Sequence, residues 1–179
     1  MARVEIKTNA QLAHMSRAGL ITSRALDAAV AAAQPGVSTA EINRAFEESL
    51  KEQGGTSNFY GYYDYPASIC TSVNHEVVHG IPGDYRLKEG DILSIDGGAY
   101  IIDPATGKQW HGDSARTVLV GEVSQERREL SEITRAAMWH GIAMQPTLPR
   151  ASIGCFSRPI TTSCVAKHYT KCPLTIHNR

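Results

Sequence analysis

The stretches "DILSIDGGAYII" (91–102) and "HGDSARTVLVG" (111–121) decide the fold of this chain. Both are rich in β-branched and other apolar residues, so each is predicted to form a strand. The segment between them, "DPATGKQW" (103–110), carries the proline and the glycine of a loop. The two strands are therefore expected to pair as a hairpin.

Each strand contains an aspartate that a strand does not need. Asp96 follows the alternating apolar pair Leu93 and Ile95, and Asp113 begins the next strand. An ionised carboxylate near a core is costly unless it is paired or bound to a metal. A hairpin could bring the two carboxylates side by side, where a divalent cation would relieve their repulsion. The alternative is a pair of loop-facing acids at strand ends, with Asp113 capping a turn.

The residues on either side predict three helices. The first follows Thr8–Asn9 and is stopped by Pro35–Gly36, and the second begins at Ser38, which forms a capping box with Glu41. The third opens at Ser124. Between the second helix and the hairpin, an aromatic loop precedes two predicted short strands, "ASICTSV" (67–73) and "EVVHGI" (76–81). The pattern indicates an α+β domain.

The segment "HEVVH" (75–79) matches the His-Glu-x-x-His motif of zinc metalloproteases, which works only on a helix. The β-branched pair Val77–Val78 favours an extended chain, and Gly80 and Pro82 would end a helix within a turn of His79. A zinc helix is therefore rejected. In an extended segment His79 would lie against the following turn, where its side chain can be aimed into a cleft.

The composition changes near residue 143. Residues 1–143 hold all 18 acidic residues against 13 basic ones, whereas residues 144–179 hold five basic residues and no acidic one. The second segment shows no sustained helical or strand period, and its cysteines (Cys155, Cys164 and Cys172) fit no common zinc spacing. We expect residues 144–179 to be an irregular, disordered tail.

Other properties limit the function. The formal net charge is zero, which gives no indication of a nucleic-acid partner or an anionic membrane. The first ten residues contain no apolar run typical of a signal peptide, and no stretch approaches the length of a membrane span. Cys70, the single cysteine before residue 143, fits a reducing cytoplasm.

The block "GYYDYPASICTSVNHEVVHGIPGDYRLKEGDILSIDGGAY" (61–100), followed by "HGDSART" (111–117), resembles type I methionine aminopeptidase of the pita-bread metallopeptidase fold. The resemblance covers residues 1–143. It implies the N-terminal half of that fold: two helices, a curved antiparallel sheet and a third helix.

The resemblance also assigns roles to residues. Asp96 and Asp113 match two ligands of a two-metal centre, and His79 matches a catalytic histidine that contacts the scissile peptide. The initiator-methionine pocket is matched by aromatic and soft side chains, which suit a flexible thioether: Phe59, Tyr62, Tyr65 and Cys70, with His79 also touching substrate.

The implied function is removal of the initiator methionine from nascent proteins by a metal-activated water. The implied cofactors are two divalent ions, with Mn, Fe, Co and Zn all compatible with carboxylate ligands. The N-terminal Met of nascent polypeptides is the implied partner, with the ribosome as a further candidate and a cytoplasmic location.

The family's remaining ligands, a histidine in a "GHGIG" block and two later glutamates, have no match in residues 144–179. We therefore expect that this segment is out of frame or belongs to a truncated product, and that the 179-residue chain is inactive. The alternative is a non-catalytic family member that binds a peptide or a partner protein.

Overall fold

The computed structural model describes residues 6–144, in which three α-helices accompany four strands of one antiparallel sheet. The predicted α+β arrangement is confirmed. Apart from Met144, the predicted tail 144–179 lies outside the described residues. In chain order the elements are α1 (Asn9–Ala32), α2 (Thr39–Glu52), β1 (Thr56–Ser57), β2 (Ile69–Val73), β3 (Ile92–Ile102), β4 (Gln109–Leu119) and α3 (Gln125–Met144).

Both predicted helix starts in the N-terminal part are capping boxes. The Thr8 hydroxyl accepts the Gln11 amide at 3.3 Å, and the Gln11 side chain accepts the Thr8 amide at 2.8 Å. Ser38 and Glu41 form the same reciprocal pair at 3.2 and 2.8 Å. Each box satisfies two N–H groups that a helix start leaves without an intrahelical acceptor.

Strand β3 is the centre of the sheet. One of its edges pairs with β2 and β1, and the other pairs with β4 along all eleven residues, from Ile92 opposite Leu119 to Ile102 opposite Gln109. The predicted hairpin is thus confirmed. Because side chains alternate along a strand, this register divides the sheet into two faces.

One face, here called the helix face, packs against α1 and α2. It carries the odd-numbered residues of β3, such as Leu93 and Ile95, and these side chains are fully buried with Phe46 of α2. At Gly112 the approach is so close that a Cβ would lie 2.7 Å from the backbone of Ala18 in α1. The opposite face, here called the outer face, carries the even-numbered residues of β3 and the odd-numbered residues of β4.

The predicted strand "EVVHGI" (76–81) is wrong, because these residues form a loop instead. Val78 and His79 both have positive φ, 39° and 54°, which interrupts an extended ladder. The loop returns to the edge of β2, where the Gly80 carbonyl accepts the Thr71 amide at 2.7 Å. A Cβ on Gly80 would lie 2.2 Å from the Thr71 carbonyl oxygen, so this contact requires glycine.

Helix α3 begins at the predicted place, with the Arg127 amide donating to the Ser124 hydroxyl at 3.3 Å. The Arg127 guanidinium donates to Asn74 and to the Gly90 carbonyl, which ties the helix start to the turns before β3. Further along, Leu130 and Ile133 are 60% and 67% exposed. Within residues 6–144, none of the helices combines the length and apolar character that a membrane crossing requires.

Candidate metal centre and substrate pocket

The register places both aspartates on the outer face. Asp96 lies opposite Ala115, and Asp113 lies opposite Gly98, two residues along. They are therefore diagonal neighbours on adjacent strands, a relation in which Cα atoms are roughly 7–8 Å apart. Both residues are inside strands and half-buried, so they are not acids at strand ends. Of the two arrangements left open by the sequence, the structure therefore excludes the strand-end one and places the two aspartates on one face as diagonal neighbours.

The chemistry around the pair suits a divalent cation. The outer-face positions of β2, β3 and β4 include no lysine and no arginine: they are Cys70, Ser72, Ile92, Ser94, Asp96, Gly98, Tyr100, Ile102, Gln109, His111, Asp113, Ala115, Thr117 and Leu119. Carboxylate oxygens are hard donors for such ions. Within residues 6–144, no group of three or more His, Cys, Asp or Glu side chains could hold a metal. The two carboxylates therefore fit part of a coordination sphere that needs further donors.

Cys70 lies directly opposite Asp96 in the β2–β3 register. Burial raises the pKa of its thiol to about 11; contact with Tyr65 acts in the opposite direction, and the negative charges of Asp96 and Asp113 raise it further. Burial also raises the pKa of the Tyr65 hydroxyl, and the neighbouring Cys70 and the negative charge of Asp96 raise it further. Cys70 and Tyr65 are therefore neutral near pH 7, as the wall of an apolar pocket requires.

Three of the predicted pocket residues form one cluster, separate from the main core. Tyr65 and Cys70 are buried in it with Ala67, and Phe59 packs against them. The rings of Phe59 and Tyr65 meet edge to face, with centroids 6.4 Å apart. Tyr62 lies outside this cluster, is 42% exposed and contacts Tyr63 instead.

His79 is exposed in the loop beside β2. Its neighbour Gly80 donates its amide to the Ser72 hydroxyl at 3.1 Å, and the Gly80 carbonyl oxygen lies 3.4 Å from the Tyr65 hydroxyl. The structure thus anchors the loop at the strand that carries Cys70 and next to the pocket cluster. It does not bury the His79 side chain in that cluster.

Neither Asn58 nor His111 was predicted from the sequence. The Asn58 Oδ1 and His111 Nδ1 atoms are 2.9 Å apart, and the Asn58 amide donates to the Gly112 carbonyl at 3.1 Å. His111 immediately precedes the Gly-Asp of the second strand, so proximity to Asp113 was an available signal. Nothing local in the sequence indicated that Asn58 reaches it.

Comparison with known proteins identifies the family of this chain. A sequence model described as metallopeptidase family M24 matches residues 13–169. The chain belongs to metallopeptidase family M24. The match continues past residue 143, where the resemblance noted in the sequence ended, so a domain boundary at 143 stays a prediction.

Similar M24 proteins include named methionine aminopeptidases. The chain is 41% identical to the methionine aminopeptidase of Clostridium acetobutylicum over 138 residues, which is 76% of this chain and 53% of that protein. It is 45% identical to methionine aminopeptidase 1 of Mycobacterium tuberculosis over 134 residues, or 74% and 48% of the two chains. The chain therefore spans about half the length of these relatives.

Solved structures confirm the pita-bread fold. The crystal structure of methionine aminopeptidase from Rickettsia prowazekii superposes with a TM-score of 0.71 at 34% identity, covering 78% of this chain and 54% of that one. Its aligned portion contains the same kind of α+β unit. M24 membership makes the chain part of a metallopeptidase family, whose similar members named above are methionine aminopeptidases.

Proposed function

We propose that this chain carries part of the active site of a methionine aminopeptidase, which removes the initiator methionine from nascent polypeptides. The observation that carries the proposal is the diagonal pair Asp96 and Asp113 on the outer face. Its support comes from the pocket cluster beside the pair and from the similarity to named methionine aminopeptidases. A cytoplasmic location and a transient encounter with the ribosome belong to the same proposal.

In this proposal Asp96 and Asp113 hold divalent ions, two in the complete site, drawn from Mn, Fe, Co and Zn. Such ions, when bound, supply the positive charge that activates water for attack on a peptide bond. The chain's own residues bind and orient the substrate around them. Phe59, Tyr65 and Cys70 receive the methionine side chain, because a neutral aromatic and thiol surface suits a polarisable thioether.

Tyr62 and His79 would complete the substrate contacts from the two loops that flank β2. Tyr62 is exposed, so it is available to close over a bound side chain. The His79 imidazole is assigned to the leaving side of the scissile peptide bond, where it can donate a hydrogen bond. The Gly80 anchor on β2 keeps this loop beside the pocket.

A second candidate is a non-catalytic protein that binds peptides or a partner. It is favoured by the donor count: residues 6–144 offer no three-donor group, and residues 144–179 contain no Asp or Glu. We propose that the 179-residue chain binds metal weakly through its two aspartates and turns over little or no substrate. A segment 144–179 translated out of frame would explain the missing acids, and the nucleotide sequence around codon 143 tests that explanation.

Calorimetric titration of the 179-residue chain with Co²⁺, paired with release of free methionine from a tripeptide beginning with Met, tests these proposals. Asp96→Asn and Asp113→Asn should each weaken binding at least tenfold, whereas the exposed loop variant Asp103→Asn should not. Equal affinity of all four proteins would refute the metal site. Peptide binding without methionine release supports the non-catalytic candidate, and release supports the enzyme.

A further inference from the structure

Asn58 links strands on the two sides of β3. Its backbone N–H donates to the Gly98 carbonyl at 3.0 Å, which continues the β1–β3 ladder by one residue. Its side chain reaches the opposite neighbour of β3. There Nδ2 donates to the Gly112 carbonyl at 3.1 Å, and Oδ1 lies 2.9 Å from His111 Nδ1. One residue thus joins the β1 edge to β4 across the central strand.

The side chain crosses the sheet above Gly98. A Cβ built on Gly98 would lie 2.7 Å from Asn58 Nδ2 and 3.3 Å from Asn58 Cβ. A side chain at this position would therefore occupy the space through which the amide passes. Gly98 is also the register partner of Asp113. The Asn58 amide accordingly lies on the outer face, in the same row of the sheet as the Asp113 carboxylate.

Hydrogen-bond chemistry fixes the orientation of the amide and the tautomer of the histidine. The Gly112 carbonyl can only accept, so the amide nitrogen must face it. Oδ1 then faces His111 and can only accept, so His111 carries its proton on Nδ1. In the neutral ring Nε2 is therefore the unprotonated nitrogen.

We propose that Asn58 is a positioning residue for Asp113. Its amide fixes the β4 backbone at Gly112 and the ring at His111, the two residues that precede Asp113, so the carboxylate stays diagonal to Asp96. The inference rests on the proposed function, in which Asp113 is a metal ligand. Groups that orient a ligand from the outer shell typically change metal affinity by about 10- to 100-fold.

The tautomer provides a test that needs no metal. Nitrogen-15 NMR of the wild-type 179-residue chain above pH 8, with the His111 resonance assigned from a His111→Gln spectrum, should show the proton on Nδ1. Asn58→Ala should shift His111 towards the Nε2–H form that free imidazole side chains prefer. A wild-type His111 protonated on Nε2 would overturn the hydrogen bond between Asn58 and His111.

Metal affinity tests the positioning role. Calorimetric titration with Co²⁺ should show a Kd at least about tenfold higher for Asn58→Ala than for wild type. Asn43→Ala is the matched control. The Asn43 side chain also joins two parts of the fold, but it does so from α2: it donates to Glu47 and accepts from the Ser68 amide, both at 2.9 Å. Its Kd should equal that of the wild type. An unchanged Kd in Asn58→Ala would overturn the role.

Gly98→Ala gives a second route if Asn58→Ala fails to fold. The added methyl displaces the amide, so Gly98→Ala should weaken Co²⁺ binding about as much as Asn58→Ala, and the double variant should be no weaker than either. Additive losses would contradict the proposal. A wild-type chain that binds no Co²⁺ would overturn the metal site and the role of Asn58 in positioning its ligand. The NMR result would still decide whether Asn58 and His111 are hydrogen-bonded.

Discussion

The two faces of the β3–β4 hairpin use the same backbone for opposite purposes. On the helix face, Leu93 and Ile95 are fully buried, and Gly112 brings the backbone of β4 against α1. On the outer face, Asp96 and Asp113 are half-buried among small and polar side chains. Because successive side chains of a strand point to opposite faces, residues that pack in the core alternate along each strand with residues that face the candidate site.

The helix face should be the more sensitive of the two. Gly112→Ala places a methyl group 2.7 Å from the backbone of α1, and backbone cannot move aside as a side chain can. We expect the free energy of unfolding to fall by about 3 kcal/mol, at the upper end of overpacking effects. Urea denaturation followed by circular dichroism measures it.

Gly141→Ala in α3 is the matched control, because a Cβ there meets nothing within 4 Å. It should leave stability unchanged or raise it by up to about 1 kcal/mol, since alanine favours helix. Equal losses from the two substitutions would show that β4 is not pressed against α1.

A buried carboxylate just before β3 has a well-defined set of hydrogen-bond donors. Asp91, just before β3, accepts hydrogen bonds from Asn74 and Tyr85 and from the Lys88 amide at 2.9–3.0 Å. Burial alone would raise the pKa of Asp91, but these bonds, with Arg127, hold it below its ordinary value. Asp91→Asn should therefore destabilise the protein by about 2 kcal/mol at pH 7.

The pH dependence has a definite sign. The pKa of Asp91 in the folded protein lies below its unfolded value of about 3.9. The stabilisation by ionised Asp91 is therefore fully present above the unfolded pKa and is lost as pH falls through the folded pKa. The difference in urea midpoint between wild type and Asp91→Asn should accordingly shrink below about pH 4. A difference that stays constant down to pH 2 would contradict this account.

In metal-free protein, substitutions in the outer-face pair should change stability less than Asp91→Asn does. Asp96→Asn or Asp113→Asn removes one of two neighbouring like charges, and the relieved repulsion should hold any loss of stability below about 1 kcal/mol. In thermal melts with and without Mn²⁺, wild type should be stabilised by the metal and the variants should not. A loss comparable to that of Asp91→Asn would mean that the pair is structural.

The smallest effect is expected on α3. Leu130→Ala should change stability by less than about 0.5 kcal/mol, because that side chain is 60% exposed. Leu26→Ala in α1, at a fully buried position, should cost about 2–5 kcal/mol. A large cost at Leu130 in urea denaturation would reveal that the outer surface of α3 is covered in solution.

Local signals made much of the fold predictable. Both capping boxes, the start of α3 and the two long strands follow from residues within one turn or one strand of each other. The "EVVHGI" prediction was wrong although its β-branched residues favour a strand, because the chain turns at Val78 and His79 instead of pairing along β2. Here the Gly80 contact with Thr71 held the segment as a loop with positive φ at Val78 and His79.

The sequence by itself determined the three helices, the strands β2, β3 and β4, and the two aspartates that depart from the strand pattern, because alternation and capping act between residues close along the chain. Tertiary structure decided that Asp96 and Asp113 are diagonal, that Cys70 faces Asp96, and that Asn58 crosses Gly98 to reach β4. The Asn58–Gly112 contact joins residues 54 positions apart. No local pattern encodes such a contact, because it exists only once β1, β3 and β4 have paired.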